Sequence, residues 1–407
     1  MENQLQYILN VNIITSNSRL DNYGIIIKND RILEMLPMDE LKIPEINYKE
    51  FTLFDGEGAY VSPGFIDIHS DNIETVVQPR PTSVIDFRLA LSEHEKQLVN
   101  QGITTMYHSL SFLRTEGVAM RDREVRKPEK MREMAELIKT LHEKNHLIRH
   151  RFHCRFDIRN CEGYDTLMDY IDNDYVHLLS FIDHTPGQGQ YRDLVGYREN
   201  MLNHQPNLGD EQIDKLIEKR MSVPILSRDK IEKTAQIAHE KGIPIASHDD
   251  DTEAKIEYVN SVLKAGISEF PVELSVARKA KEEGMFIVVG APNVLIGKSH
   301  SGNLTAIEAI LDGSADIMVS DYYPSAMLHA VFKLNMQYNI PLWESINMVT
   351  LNPAKAVGIA KDFGSVEKGK KADLLLIKIL DGKPAITKVF IDGQLVSELN
   401  YRRIKYA

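Results

Sequence analysis

Apolar and polar positions follow two different rhythms along this chain. In the first sixty residues, QYILNVNIIT, NYGIIIKNDRILEML and FTLFDGEGAYVSP are short, rich in β-branched residues and broken by turn pairs such as Asn29-Asp30 and Asp55-Gly56. That texture predicts strands. The last forty residues return to it in ADLLLIKIL and AITKVFIDGQLVSE, with a turn at Asp392-Gly393. The two ends are therefore expected to join as one small composite β-sandwich domain, residues 1–60 with 360–407, around a separate unit at 61–359.

In that middle unit, helical patterns stop at a glycine and an apolar strand starts at once: Gly102, Gly242, Gly266 and Gly284 all stand at such junctions. A glycine just past a helix end accepts the left-handed conformation that closes the last turn. PEKMREMAELIKTLHEKN puts Met131, Met134, Ile138 and Leu141 on one face with Pro128 near its start, and Ser227 is placed to cap the helix that ends at Gly242. Counting by these junctions gives eight strands, beginning near Phe65, Ile103, Ile148, Val176, Ile243, Ile267, Phe286 and Ile317. The fold class is α/β, and eight strands with interleaved helices predict a (β/α)8 TIM-like barrel whose chemistry sits at the strand ends. An open doubly wound sheet is the weaker reading, because no G-x-G-x-x-G or phosphate loop follows any strand. The widest connection, Pro186 to Pro224, is expected to cover the barrel mouth.

Composition narrows the function classes. A chain of 407 residues, 43% hydrophobic and 26% charged, is long enough for one large domain and a smaller one. With 48 basic against 59 acidic residues the formal charge is −11, and no lysine or arginine run marks a nucleic-acid surface. Cys154 and Cys161 make neither a disulfide framework nor a C-x-x-C pair. No apolar run approaches the roughly 18 residues of a membrane span, and MENQLQYILNVNIITS has no basic leader. The expectation is a cytoplasmic protein with neither membrane nor nucleic acid as partner. Monomer and homo-oligomer both stay open.

Candidate chemistry collects at the strand ends. His69 and Asp71 are two apart, so an extended strand points both to one side. HLLSFIDH ends in His184, IPIASHDD carries His248, ADIMVSD ends in Asp321, and HRFHCRFD aligns His153, Arg155 and Asp157 on one face. Histidines among carboxylates suit zinc, manganese or another divalent first-row ion, in a one-ion or two-ion site. A lone histidine at a strand end is more often a hydrogen-bonded surface residue, and Asp249 to Asp251 read equally well as a helix cap. The metal reading rests on coincidence: three strands end in histidine and others in aspartate.

These residues, together with the closing TLNPAKAVGI and GSVEKGKKADLLLI, resemble the amidohydrolase superfamily, metal hydrolases built as a barrel flanked by a β-sandwich from both chain ends. Most members carry a second histidine where this chain has Asp71, and many carry a carboxylated lysine that has no counterpart here. HSDNIE, QPRP, HRFHCRFD, SFIDHTPGQGQYRD and GAPNVLIGKSHSGN are similar to one branch, the ribose 1-methylphosphonate 5-triphosphate diphosphatases of phosphonate catabolism, in which an acidic residue, often Glu, stands at the position of Asp157. The resemblance implies one or two divalent ions, zinc first and manganese or iron as alternatives, on His69, Asp71, Asp157, His184, His248 and Asp321. It implies an anionic phosphorylated sugar as substrate, with Asp321 as general base and Arg80, Arg155, Arg159, Arg192, Lys298, Ser299 and His300 as its contacts. A cyclic amidohydrolase or N-acetyl-sugar deacetylase using the same site is the alternative. A barrel that has lost catalysis and serves as a scaffold is the third reading.

Overall fold

The strand-rich ends do pair with each other. In the computed structural model, which describes residues 5–43, 51–113, 124–204, 209–298 and 303–402, the amino end supplies β1 (Leu5–Ile14), β2 (Arg19–Lys28), β3 (Arg31–Pro37), β4 (Phe51–Asp55) and β5 (Tyr60–Pro63). The middle supplies β6 (Phe65–Ser70), β7 (Ile103–Phe112), β8 (Arg149–Asp157), β9 (Leu178–Ile182), β10 (Ile245–His248), β11 (Ile267–Glu269), β12 (Phe286–Gly290) and β13 (Ile317–Val319). The carboxyl end supplies β14 (Leu374–Leu380), β15 (Lys383–Ile391) and β16 (Gln394–Glu398).

One sheet runs β16-β15-β14-β5-β1-β2-β3, with β4 beside β1. Its junction is Val61, which faces Ile13 in a parallel pair and Leu376 in an antiparallel one. Ile8, Ile25, Leu374 and Phe390 pack there as a core of their own. The two ends thus hold each other by apolar burial that neither could reach alone.

The second sheet contains β6 to β13 in sequential order, every neighbouring pair parallel. It closes at a bridge between Ser70 and Asp321, where the Asp71 N–H donates to the Asp321 carbonyl (2.8 Å) and the Asp321 N–H to the His69 carbonyl (3.0 Å). Ile66, Ile68, Tyr107, Leu178, Ala246 and Val288 fill the interior, so the cylinder is a packed core that opens only at its rim.

Most of the helix punctuation holds. Gly102, Gly242 and Gly284 take φ of +87°, +70° and +81°. Gly266 does not: Lys264, at φ +54°, makes that turn instead. The helix Pro128–Leu141 buries Met131, Met134, Ile138 and Leu141 as its spacing requires. Ser227 occupies the cap position of the helix Arg228–Glu240, yet its hydroxyl makes no capping bond. The 186–224 connection folds into a short turn, Gly189–Tyr191, and two helices, Leu194–His204 and Asp210–Met221. Among the described residues no helix is long and apolar enough to cross a membrane.

Candidate metal centre

Strand alternation decides what reaches the barrel interior. On β8, Phe152, Cys154 and Phe156 enter the outer core against the helices, so His153, Arg155 and Asp157 face inward. On β6, Ile66 and Ile68 face the interior, and a register shift between Asp67 and Ser70 brings His69 to the cavity, with Asp71 just past the strand end. His69, Asp71, Arg155, His248, Asp249 and Asp321 line one cavity of about 220 Å³ at the carboxyl ends of the strands. Four residues expected as metal ligands thus share one space.

The backbone is bent to aim them. Asp249, Phe270 and Asp321 adopt φ of +51°, +55° and +58°, each one or two residues past a strand end, and all three line the cavity. A left-handed turn is costly for residues with a side chain, most of all for a bulky one such as phenylalanine, and clusters where function demands it. Its result here is that the Phe270 ring stands edge-on to His69 (centroids 5.0 Å apart, planes at 89°) and against His248 (5.3 Å). That ring keeps one side of both imidazoles dry.

Charge is concentrated where water is excluded. Burial, reinforced by the neighbouring Asp71 carboxylate, raises the pKa of Asp321 to about 7. Asp67, deeper along β6, is raised to about 7 by burial even though Ser320 N–H donates to its Oδ1 at 3.1 Å. Burial, then the charges of Arg155 and His248, lowers the His69 pKa well below the ordinary value, which leaves the ring neutral. An Arg155 N–H meets His248 Nε2 at 3.0 Å, and His248 Nδ1 lies 2.9 Å from Asp249 Oδ2 but outside hydrogen-bonding direction, so neither atom has a bonded partner.

A second polar group adjoins the cavity. Asp157, the last residue of β8, accepts from Arg159 through its Nε (3.1 Å), its NH2 (2.8 Å) and its backbone N–H (2.9 Å), and meets His184 Nδ1 at 3.1 Å. Burial pushes the Asp157 carboxyl up, but the His184 and Arg159 hydrogen bonds outweigh it and hold the group well below the usual carboxylate range. His184 lies two residues past β9, the fourth barrel strand, and His248 ends β10, the fifth. Asp249 stands between the two groups and feels the charge of both His248 and His184. Of the expected substrate contacts, Arg155 lines the cavity. Arg80 is exposed and bridges to Ser83, Arg192 pairs with Glu273, and Lys298 is exposed. Ser299 and His300 lie outside the described residues.

Two buried residues were absent from the expected ligands. Glu269 ends β11, and its Oε1 meets His69 Nδ1 at 2.8 Å. His153 bonds the Ser180 hydroxyl through Nε2, and Ser180 donates to Glu269 Oε2 at 3.0 Å. His153 shares the inward parity of Arg155 and Asp157, so alternation alone marks it. Glu269 carried a different signal: a carboxylate inside the short apolar run ISEF, where burial requires a partner.

The donor chemistry fits a divalent ion. Ligand atoms of His69, His153 and Glu269 lie within 4.8 Å of one another, and the cavity beside them presents imidazole and carboxylate groups, among which His248 Nδ1 and Asp249 Oδ2 lack hydrogen-bond partners. Nitrogen and oxygen donors of this kind suit zinc and its first-row neighbours. The sequence pattern of the Amidohydrolase family matches residues 212–396. The alpha-D-ribose 1-methylphosphonate 5-triphosphate diphosphatase of Escherichia coli is 30% identical over 386 residues, 93% of this chain and 99% of that protein. Among solved structures, N-acetylglucosamine-6-phosphate deacetylase from Pasteurella multocida superposes with a TM-score of 0.64 (13% identical, 97% of this chain and 100% of that one). The A. niger ochratoxinase superposes at 0.65 (13% identical, 98% and 96%). At such identities the structural likeness is one of fold. The barrel, its flanking composite sheet and the full-length similarity to the E. coli enzyme agree: the chain belongs to the amidohydrolase family, and it is a hydrolase.

Proposed function

We propose that this hydrolase cleaves α-D-ribose 1-methylphosphonate 5-triphosphate to the 5-phosphate and pyrophosphate, as a step in phosphonate breakdown. The observation that carries the reading is the similarity to the E. coli diphosphatase over nearly the full length of both chains. The cavity supports it, because its imidazoles and carboxylates stand beside a half-buried guanidinium, Arg155, suited to phosphate oxygens.

A divalent ion held by His69, Asp71 and His248, with Asp157 and His184 as candidates for a second, would supply Lewis acidity at the phosphoryl oxygens and make water more acidic at neutral pH. The chain's own residues do the rest. Asp321, whose pKa burial raises to about 7, is poised to exchange a proton near neutral pH, and we assign it the proton of the water that attacks the α-phosphorus. Arg155 turns its remaining N–H groups to the phosphate being attacked. The Arg159 fork holds the Asp157 carboxylate, and with it the His184 ring, in fixed orientation. Arg80, Arg192 and Lys298 are the cations left for the outer phosphates, with Arg192 exchanging Glu273 for substrate.

The deciding assay loads the protein with zinc, manganese or iron and offers a ribose 5-triphosphate ester, an N-acetyl sugar phosphate and a dihydropyrimidine in parallel. Pyrophosphate from the first, with the other two untouched, is the expected result. Amide hydrolysis without pyrophosphate release would replace the proposal with a deacetylase or cyclic amidohydrolase.

A further inference from the structure

We infer that Glu269 positions His69 for an ion in the cavity and is not itself a ligand. The inference rests on the reading of that cavity as a divalent-metal site.

The cluster of His69, His153 and Glu269 admits two interpretations. Its donor atoms are close enough to surround an ion, or Glu269 is a carboxylate that orients an imidazole whose other nitrogen does the binding. Three observations favour the second. The Glu269 Oε1 atom lies 2.8 Å from His69 Nδ1 in the direction of the ring N–H, whereas two ligands of one ion aim their lone pairs at a third point between them. The other carboxylate oxygen is occupied as well, by the Ser180 hydroxyl at 3.0 Å. Finally, His69 lines the cavity, but Glu269 and His153 do not: Glu269 is fully buried on the far side of the His69 ring.

The proton assignment follows from these contacts. A carboxylate accepts only, so His69 carries its hydrogen on Nδ1 and keeps the Nε2 lone pair for the cavity. Ser180 has one hydroxyl proton and directs it to Glu269, so His153 Nε2–H donates to Ser180. The unprotonated Nδ1 of His153 then accepts from the Ser109 hydroxyl at 2.9 Å. Side chains from β6, β7, β8, β9 and β11 thus fix one ring and one tautomer. A carboxylate behind a ligating histidine sets ring orientation and strengthens the ligand, and losing it weakens metal affinity by about 10–100-fold.

The test is a chelator-competition titration of the full-length protein with zinc, and with cobalt(II) for its visible spectrum, on the wild type, Glu269→Gln and Ser180→Ala. We expect Glu269→Gln to bind the same number of ions per chain at saturation with an unchanged cobalt band pattern, and to release them at about 10–100-fold lower chelator excess. Ser180→Ala, which frees the carboxylate and His153 Nε2 from their shared hydroxyl, should shift affinity the same way by less, and it answers the question if Glu269→Gln fails to fold. Loss of a whole ion at saturation, or a cobalt spectrum reporting one ligand fewer, would make Glu269 a ligand and overturn the inference. Unchanged affinity in both variants would overturn it too. A wild type that binds no divalent ion would instead bring down the metal reading beneath it.

Discussion

Two groups of buried histidines sit on opposite faces of the same two barrel strands. The inner group joins Ser109 of β7 and His153 of β8 to Glu269 and His69, next to the cavity. The outer group joins His108 of β7 and His150 of β8 to His94 and Glu95 of the helix Phe87–Asn100, sealed between barrel wall and helix. Outside, His108 Nε2 meets His150 Nδ1 at 2.8 Å with the rings nearly coplanar, and His150 Nε2 lies 3.3 Å from Glu95 Oε2, which also accepts the Leu147 N–H. Buried histidines and a glutamate occur in both places. What separates them is strand parity and an opening: one group ends at a space where a ligand fits, while the other has its polar atoms turned on each other, with both nitrogens of His94 unpartnered.

The comparison is sharpened first at the inner group. Asp321→Asn is expected to lower kcat by about 10²–10⁴-fold, the loss of a general base, while bound metal measured by elemental analysis stays near the wild-type amount. Substantial residual turnover would take the base assignment from Asp321. The outer group should respond in stability alone. His150→Ala leaves Glu95 and His108 without their partner, at a cost of about 1–3 kcal/mol in urea unfolding, with kcat/KM of the folded fraction unchanged. A large kinetic effect there would break the distinction between the two groups.

Acid titration separates them further. Burial, then the proximity of His150, lowers the His94 pKa to about 4, and His108 shifts in the same direction for the same reasons. Near pH 6.5 the unfolded histidines begin to take up protons that the folded ones refuse. Their contribution is therefore complete above pH 6.5 and declines as the pH falls toward 4, by about 1.4 kcal/mol per pH unit for each group. Denaturant midpoints at pH 7.5, 6 and 5 read this slope. The smallest effect belongs to His94→Phe, which removes two unpartnered buried nitrogens. It should keep or raise stability by up to about 1 kcal/mol and flatten the acid slope by one proton.

These contrasts show what one chain can disclose. All eight barrel strands were legible because most are short, apolar and punctuated, while β8, RHRFHCRFD, shows itself by alternation, and the meeting of His69, Asp71, His248 and Asp321 followed from their shared place at strand ends. Glu269 was not legible as a partner of His69: two hundred residues separate them, and nothing in local spacing says which strands face each other across a closed cylinder. The engagement of Asp157 by Arg159 is a different case. The two are only two residues apart, but whether a carboxylate at a strand end meets its neighbour or a cavity depends on the backbone just beyond the strand, where Arg159 lies and which alternation does not reach.

The Asp321 peptide, hydrogen-bonded to both His69 and Asp71, is the point where the first and last barrel strands are joined. An enzyme built this way has no independent control over rigidity and chemistry: any breathing that parts those strands moves the proton acceptor away from the residues it serves. Heating should therefore silence turnover before the bulk of the secondary structure melts, and amide exchange at Asp71 and Asp321 would report the two failures as one event.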